Sequence, residues 1–179
     1  EESLLKLGES RAGERLETPS DIIAKFPGGV NAFLDPSQRV SGLSTGFTKF
    51  DEMTGGMHGG ELLILAARPS MGKTALALNI AQHIATHPLM RKPVAVFSLE
   101  MSSASSLTRL LCAGARVDQH KFRAGYLNGE ERRKLQVALA DLTESPLYLD
   151  DTAGVNLMDI HSKIRRIKAV PLKRPTELG

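Results

Sequence analysis

An α/β fold, a mostly parallel sheet flanked by helices, is what this sequence predicts. Three observations carry that expectation. Short apolar runs at Glu61–Ala67, Pro93–Leu99 and Leu147–Leu149 alternate with longer stretches of helical spacing. The first run follows the turn residues Gly55-Gly56 and Gly59-Gly60, which marks it as a buried strand. Strands that alternate with helices pair in parallel, with helices on the faces of the sheet.

Taken in order, residues 1–40 read as a linker with short helices, and up to Glu17 either the end of a helix or a disordered tail. Thr18-Pro19-Ser20-Asp21 is a helix start: a capping hydroxyl, proline at the first helical position, and a carboxylate at the positive end of the dipole. Pro27-Gly28-Gly29 stops that helix, and Asp35-Pro36-Ser37 is a further turn. Gly72–His87 reads as a largely buried helix, with Asn79, Gln82, His83 and Thr86 on its one polar stripe. Ser103–Ala115 is the next helix, with Leu107, Leu110 and Leu111 inward. Asn128-Gly129-Glu130-Glu131 is a capping box for a helix to about Thr143, with Leu135, Leu139 and Leu142 as its apolar stripe. Asn156 caps a last helix with Leu157, Ile160, Ile164 and Ile167 on one face, and 171–179 reads as an unstructured tail.

Composition narrows the function. Six residues, Leu62–Ala67, make the longest apolar run, far below the roughly 18 of a membrane span. No secretion signal opens the sequence, so the expectation is a cytoplasmic protein. A single cysteine, Cys112, excludes an internal disulfide framework and an all-cysteine metal site. Aromatics are only 4% with no Trp, which argues against a nucleic-acid surface of stacked rings. A net charge of +3 permits an anionic partner without demanding one.

Chemistry concentrates where the first strand meets the first long helix. Ala67-Arg68-Pro69-Ser70-Met71-Gly72-Lys73-Thr74 matches G-x-x-x-x-G-K-[ST] except for Ala67 in place of the first Gly. A loop that leaves a strand and enters a helix aims backbone N–H groups at one point, where the helix dipole adds positive potential. Gly72 admits a phosphate without a Cβ in the way, Lys73 reaches the β and γ phosphates, and the Thr74 hydroxyl suits Mg²⁺. Arg68, Pro69, Ser70, Met71, Gly72, Lys73, Thr74 and Ala75 are the expected contacts of a bound ATP, with Thr74 the metal contact. A bare Gly-Lys-Thr can also open an ordinary helix; the flanking strand and helix favour the phosphate loop.

The second strand, Val94–Leu99, runs into Glu100. Ligands of open α/β sheets bind beyond the carboxyl ends of strands, which places Glu100 on the rim of the phosphate loop. There it can act as general base on the water that attacks the γ-phosphate, or else cap the serine-rich turn after it. Lys73 and Glu100 are the candidate catalytic residues. The basic side of the last helix, Lys163, Arg165, Arg166 and Lys168, is either a solvated face or, with Lys173 and Arg174, a contact for DNA phosphates or a neighbouring subunit.

With these segments in hand, the sequence resembles the C-terminal motor domain of DnaB-type replicative DNA helicases, a RecA-like P-loop NTPase fold. The resemblance rests on STGFTKFDEMTGG (Ser44–Gly56), GGELLILAARPSMGKTALALNIA (Gly59–Ala81), VFSLEMS (Val96–Ser102) and LYLDDT (Leu147–Thr152), and extends over residues 41–170. It implies an ATP-driven helicase that works as a homo-oligomeric, hexameric ring on single-stranded DNA, with primase or a loader as possible partners. It implies Ala at position 67 as the family's own choice, a catalytic role for Glu100, and a subunit-packing role for part of residues 1–40. It also implies a Walker B strand, a sensor strand and DNA-binding loops after the helix that ends near Lys168, and no such segments follow Val170 here. Leu147–Asp151 is not their substitute, because the family has that segment beside a separate Walker B strand. Since those strands would lie between the phosphate-loop strand and the Glu100 strand, unpaired strand edges are expected in this chain. Two other readings stay open: a RecA-like ATPase of the recombination or signalling type, and a non-catalytic nucleotide-binding or subunit-packing module.

Overall fold

The computed structural model describes residues 18–25, 28–34, 42–89 and 91–169. The chain divides into two compact units, residues 1–41 and 42–179. The expected tails at 1–17 and 171–179 and the turn at Asp35–Ser37 lie outside the described residues.

In the first unit, α1 (Pro19–Ala24) begins where its cap residues place it. The Asp21 N–H donates to Thr18 Oγ1 at 3.3 Å, and the Thr18 N–H donates back to Asp21 Oδ2 at 2.9 Å. A second short helix, α2 (Gly29–Leu34), follows within the stretch that reads as a linker with short helices, at a place no capping signal marks. Gly28 and Gly29 take φ of +104° and +63°, a reversal that only glycine makes cheaply.

The second unit opens with a hairpin-like loop. Leu43 and Met57 form an antiparallel bridge around α3 (Thr48–Thr54). Then follow α4 (Lys73–Thr86), β1 (Val94–Phe97), α5 (Ser103–Ala115), α6 (Gln119–Ala124), α7 (Gly129–Glu144), β2 (Leu147–Asp150) and α8 (Leu157–Ala169). The strands β1 and β2 pair in parallel, Val94 opposite Leu147 and Phe97 opposite Asp150. The crossover between them is α5, α6 and α7, as a parallel pair requires.

Two patches of core hold this unit together. Leu78 of α4, Leu110 of α5 and Leu142 of α7 meet beneath the sheet residues Val96, Leu147 and Leu149. Ala115, Val117, Leu135 and Ala138 close the other end of the α5–α7 pair. Cys112 is buried at 4% exposure and serves as core filling. Caps again set the ends of helices: Ser102 Oγ accepts from the Ser105 N–H at 3.2 Å, and Asn128 and Glu131 form the reciprocal box of α7.

Three expectations need correction. Glu61–Ala67 is not a buried strand: it pairs with no strand among the described residues, and Leu62 and Ile64 are 85% and 84% exposed. An extended segment becomes a sheet strand only where a neighbour accepts its hydrogen bonds, and the described sheet has β1 and β2 alone. Leu107 and Leu139 are exposed rather than inward, because the burial stripes of α5 and α7 run instead through Ser106, Leu110 and Cys112, and through Leu135, Ala138 and Leu142. The short α6 was not anticipated. Its cap is Asp118, which accepts from the N–H groups of His120 at 2.7 Å and Lys121 at 3.1 Å.

Candidate nucleotide site

The loop before α4 is shaped by two residues with left-handed backbone. Ser70 has φ +65° and Gly72 has φ +89°. A Cβ on Gly72 would meet nothing within 4 Å, so the dihedral, not crowding, demands glycine there. The bend is closed by the Met71 N–H donating to the Arg68 carbonyl at 3.3 Å. Helices leave their first N–H groups without intrahelical acceptors; in α4 the Leu76 N–H donates to the Gly72 carbonyl at 2.9 Å. The N–H groups of Lys73, Thr74 and Ala75 therefore have no intrahelical acceptor and stand at the positive end of the dipole. No hydrogen bond or ion pair holds the exposed Lys73 among the described residues.

Lys73 and Thr74 of α4 line one cavity of about 410 Å³ together with Ser98, Leu99, Glu100 and Met101. The loop at the carboxyl end of β1 thus reaches the same space as the first turn of α4. The other contacts expected of a nucleotide, Arg68, Pro69, Ser70, Met71, Gly72 and Ala75, are not among that cavity's walls; they form the exposed bend beside it and the start of α4. Capping falls to other residues than Glu100: Ser98 Oγ accepts from the Met101 N–H at 2.9 Å and Ser102 caps α5. The carboxylate of Glu100 stays exposed.

Asp150 and Asp151 are occupied in structural roles. Asp150 is ion-paired with Lys163 of α8 and accepts from the Thr152 hydroxyl at 2.5 Å. The hydrogen bond from Lys163, then those from Thr152, lower its pKa to about 2. Asp151 Oδ2 accepts from the Ser103 N–H at 2.8 Å and so ties the end of β2 to the start of α5. That bond holds its pKa below the usual carboxylate range. Of the basic residues on α8, Lys163 is thereby paired, while Arg165, Arg166 and Lys168 are exposed. No group of three His, Cys, Asp or Glu side chains is placed to hold a metal among the described residues. No helix among them is long and apolar enough to cross a membrane.

One polar array carried no role in the sequence reading. Asp51 accepts from the Ser44 hydroxyl at 2.7 Å, the Thr45 hydroxyl at 2.6 Å and the Thr45 N–H at 3.0 Å. Partial desolvation raises the Asp51 pKa, but the bonds from Thr45 and Ser44 together outweigh it and leave the carboxyl below its ordinary value. Thr45 itself is only 1% exposed. The serine and threonine lie well before the aspartate in sequence, so helical or strand spacing could not have paired them.

The family model for the DnaB-like helicase C-terminal domain matches residues 42–174. The chain belongs to that family. Its relatives include the replicative DNA helicase DnaC of Bacillus subtilis, 36% identical over 168 residues, which cover 94% of this chain and 37% of the relative. The replicative DNA helicase DnaB of Geobacillus stearothermophilus is 36% identical over 165 residues, 92% of this chain and 36% of the relative. The chain therefore spans little more than a third of the length of these relatives. Among solved structures, a DnaB-like replicative helicase described with its interactions with primase superposes with a TM-score of 0.71 at 30% identity, over 97% of this chain and 40% of that one. A second solved structure, an ATPase domain, gives a TM-score of 0.68 at 27% identity, over 97% of this chain and 53% of that one. The RecA-like α/β architecture expected from the DnaB-type motifs is thus the fold of this domain.

Proposed function

We propose that this DnaB-like domain binds ATP at the Arg68–Ala75 loop and forms part of a replicative helicase motor that couples ATP hydrolysis to movement on single-stranded DNA. The observation that carries the reading is the convergence of Lys73, Thr74 and Glu100 on one cavity. The residues fit a triphosphate: an ammonium with no partner among the described residues, a helix N-terminus, and a loop with two left-handed residues, Ser70 and Gly72. Lys73 would neutralise the β and γ phosphates as charge builds in transfer. The Thr74 hydroxyl would hold Mg²⁺, a hard cation that screens the phosphate oxygens from one another. Glu100 would take the proton of the attacking water as general base, from an exposed position on the same cavity.

On this reading the chain works within a larger protein, as a hexameric ring of identical subunits in the cytoplasm, with primase or a loader as partner. The test is ATP binding by calorimetry and turnover with and without single-stranded DNA, on this 179-residue chain and on one extended toward the length of its relatives. Lys73→Ala should abolish binding, and Glu100→Gln should bind ATP without turning it over. An extended chain that hydrolyses ATP equally well with either substitution would overturn the proposal. Binding without turnover by the 179-residue chain would assign it the nucleotide-holding share of the motor alone.

A further inference from the structure

The phosphate loop hangs between α4 and the segment Glu61–Ala67, which has no ladder partner among the described residues. Its shape must therefore be held from elsewhere, and the loop 42–57 is placed to do so. Leu43 and Met57 exchange backbone hydrogen bonds of 2.8 and 2.9 Å just upstream of Glu61. The His58 N–H then donates to Glu61 Oε2 at 3.1 Å, which ties the start of that segment to the hairpin. The same hairpin also grips α4. Gly46 lies against the His83 ring so closely that a Cβ would stand 2.8 Å from its Cγ. Ser44 Oγ is 3.4 Å from His83 Nε2, and His87 meets the ring edge-on at a centroid distance of 5.3 Å. Since Ser44 gives its proton to Asp51 at 2.7 Å, its oxygen faces the imidazole as an acceptor, and Nε2 is the donor.

We propose that His83 is a positioning residue of the nucleotide site. Seated between Gly46 and the Ser44–Asp51 pair, it locks α4 to the hairpin that also fixes the approach to the phosphate loop. Both ends of the crook around Gly72 then answer to one rigid element. The buried Thr45 makes that element stiff, because three donors of the Ser44-Thr45 pair converge on the Asp51 carboxylate. No atom of His83 is needed at the phosphates; it acts through α4. The inference rests on the nucleotide reading above for its ligand, and on the hairpin geometry for its mechanism.

The test combines ATP affinity with amide hydrogen exchange of residues 70–76 in the nucleotide-free chain. His83→Ala should speed exchange in that segment and weaken ATP about fivefold, the change that one lost neutral hydrogen bond carries. His83→Gln keeps a side-chain N–H donor and should restore much of both. Gly46→Ala, which pushes on the ring from the opposite side, should act in the same direction as His83→Ala. Gln82→Ala, the neighbouring residue that faces Gly114 of α5 instead, controls for a general loss of helix packing and should leave the loop unchanged. If His83→Ala leaves exchange and affinity as they were, or if Gln82→Ala moves them equally, the positioning role is wrong. If the unaltered chain binds no ATP, the nucleotide reading fails, while the exchange arm still decides whether His83 holds the loop.

Discussion

A pair of glycines separates the energetics of the backbone from those of the ligand. Gly72 sits at φ +89° at the head of α4, and Gly125 at φ +76° at the end of α6. At both, a Cβ would meet nothing within 4 Å. Alanine at either position should therefore cost only the left-handed backbone penalty, about 1–2 kcal/mol. For a unit of this size that lowers Tm by roughly 2–8 °C. Thermal unfolding without nucleotide should find the two variants alike. ATP titration should not, because the open space above Gly72 is where a phosphate would come closest to backbone. Gly72→Ala should lose most of its ATP binding, and Gly125→Ala should retain it. Two variants that bind ATP equally well would show that no phosphate approaches Gly72, and the reading of this loop would fall with that result.

Leu110 is 1% exposed at the meeting of α4, α5, α7 and the sheet, so Leu110→Ala should destabilise the domain by about 3 kcal/mol in urea unfolding, from lost transfer energy plus a residual cavity. Lys163→Met should remove stability at neutral pH that the unaltered chain retains into acid. The Asp150 pKa lies at about 2 in the folded state against 3.8 ordinarily, so its contribution is complete above 3.8 and lost as the pH falls through about 2. The difference between the two proteins, followed by circular dichroism, should close across that window; a constant difference down to pH 2 would remove Lys163 as the cause. Ile64→Lys, at a position 84% exposed within the row Leu62–Leu65, should reduce self-association in light scattering and leave the unfolding temperature unchanged.

Local signals are legible because their causes are local. The α5 helix spans Ser103–Ala115 as its spacing predicts, Thr18 caps α1 and Asn128 forms the reciprocal box of α7 as their letters suggest. Asn156 likewise accepts from the Asp159 N–H at 2.9 Å. The misses have causes of their own. At seven and six residues, α3 and α6 are too short for an apolar period to emerge. The Asp51 array joins residues on the two sides of a helix start, and no spacing rule reaches across it. The parts of the proposed phosphate loop are contiguous in sequence, whereas Glu100 has to be brought to it by topology.

The segment Leu62–Leu65 marks the boundary between two kinds of information in a sequence. Hydrophobicity states which surroundings a residue prefers; it does not name the atoms that will supply them. A helix answers its backbone polar groups from within, so α4 forms as read even though Lys73, Ala77 and Asn79 along it are exposed. A strand borrows its partners, and β1 finds one in β2 through four paired positions. The run from Leu62 is just as apolar and has the opposite outcome, since no described strand takes up its backbone hydrogen bonds and its side chains stay largely in solvent. In a parallel sheet, then, helix-forming segments carry their structure with them, and strand-forming segments carry only a demand for one. The proposed nucleotide site straddles that divide: its lysine and threonine stand on the self-sufficient helix, while the approach to them, on our proposal, depends on the hairpin bonded to Glu61 and set against His83.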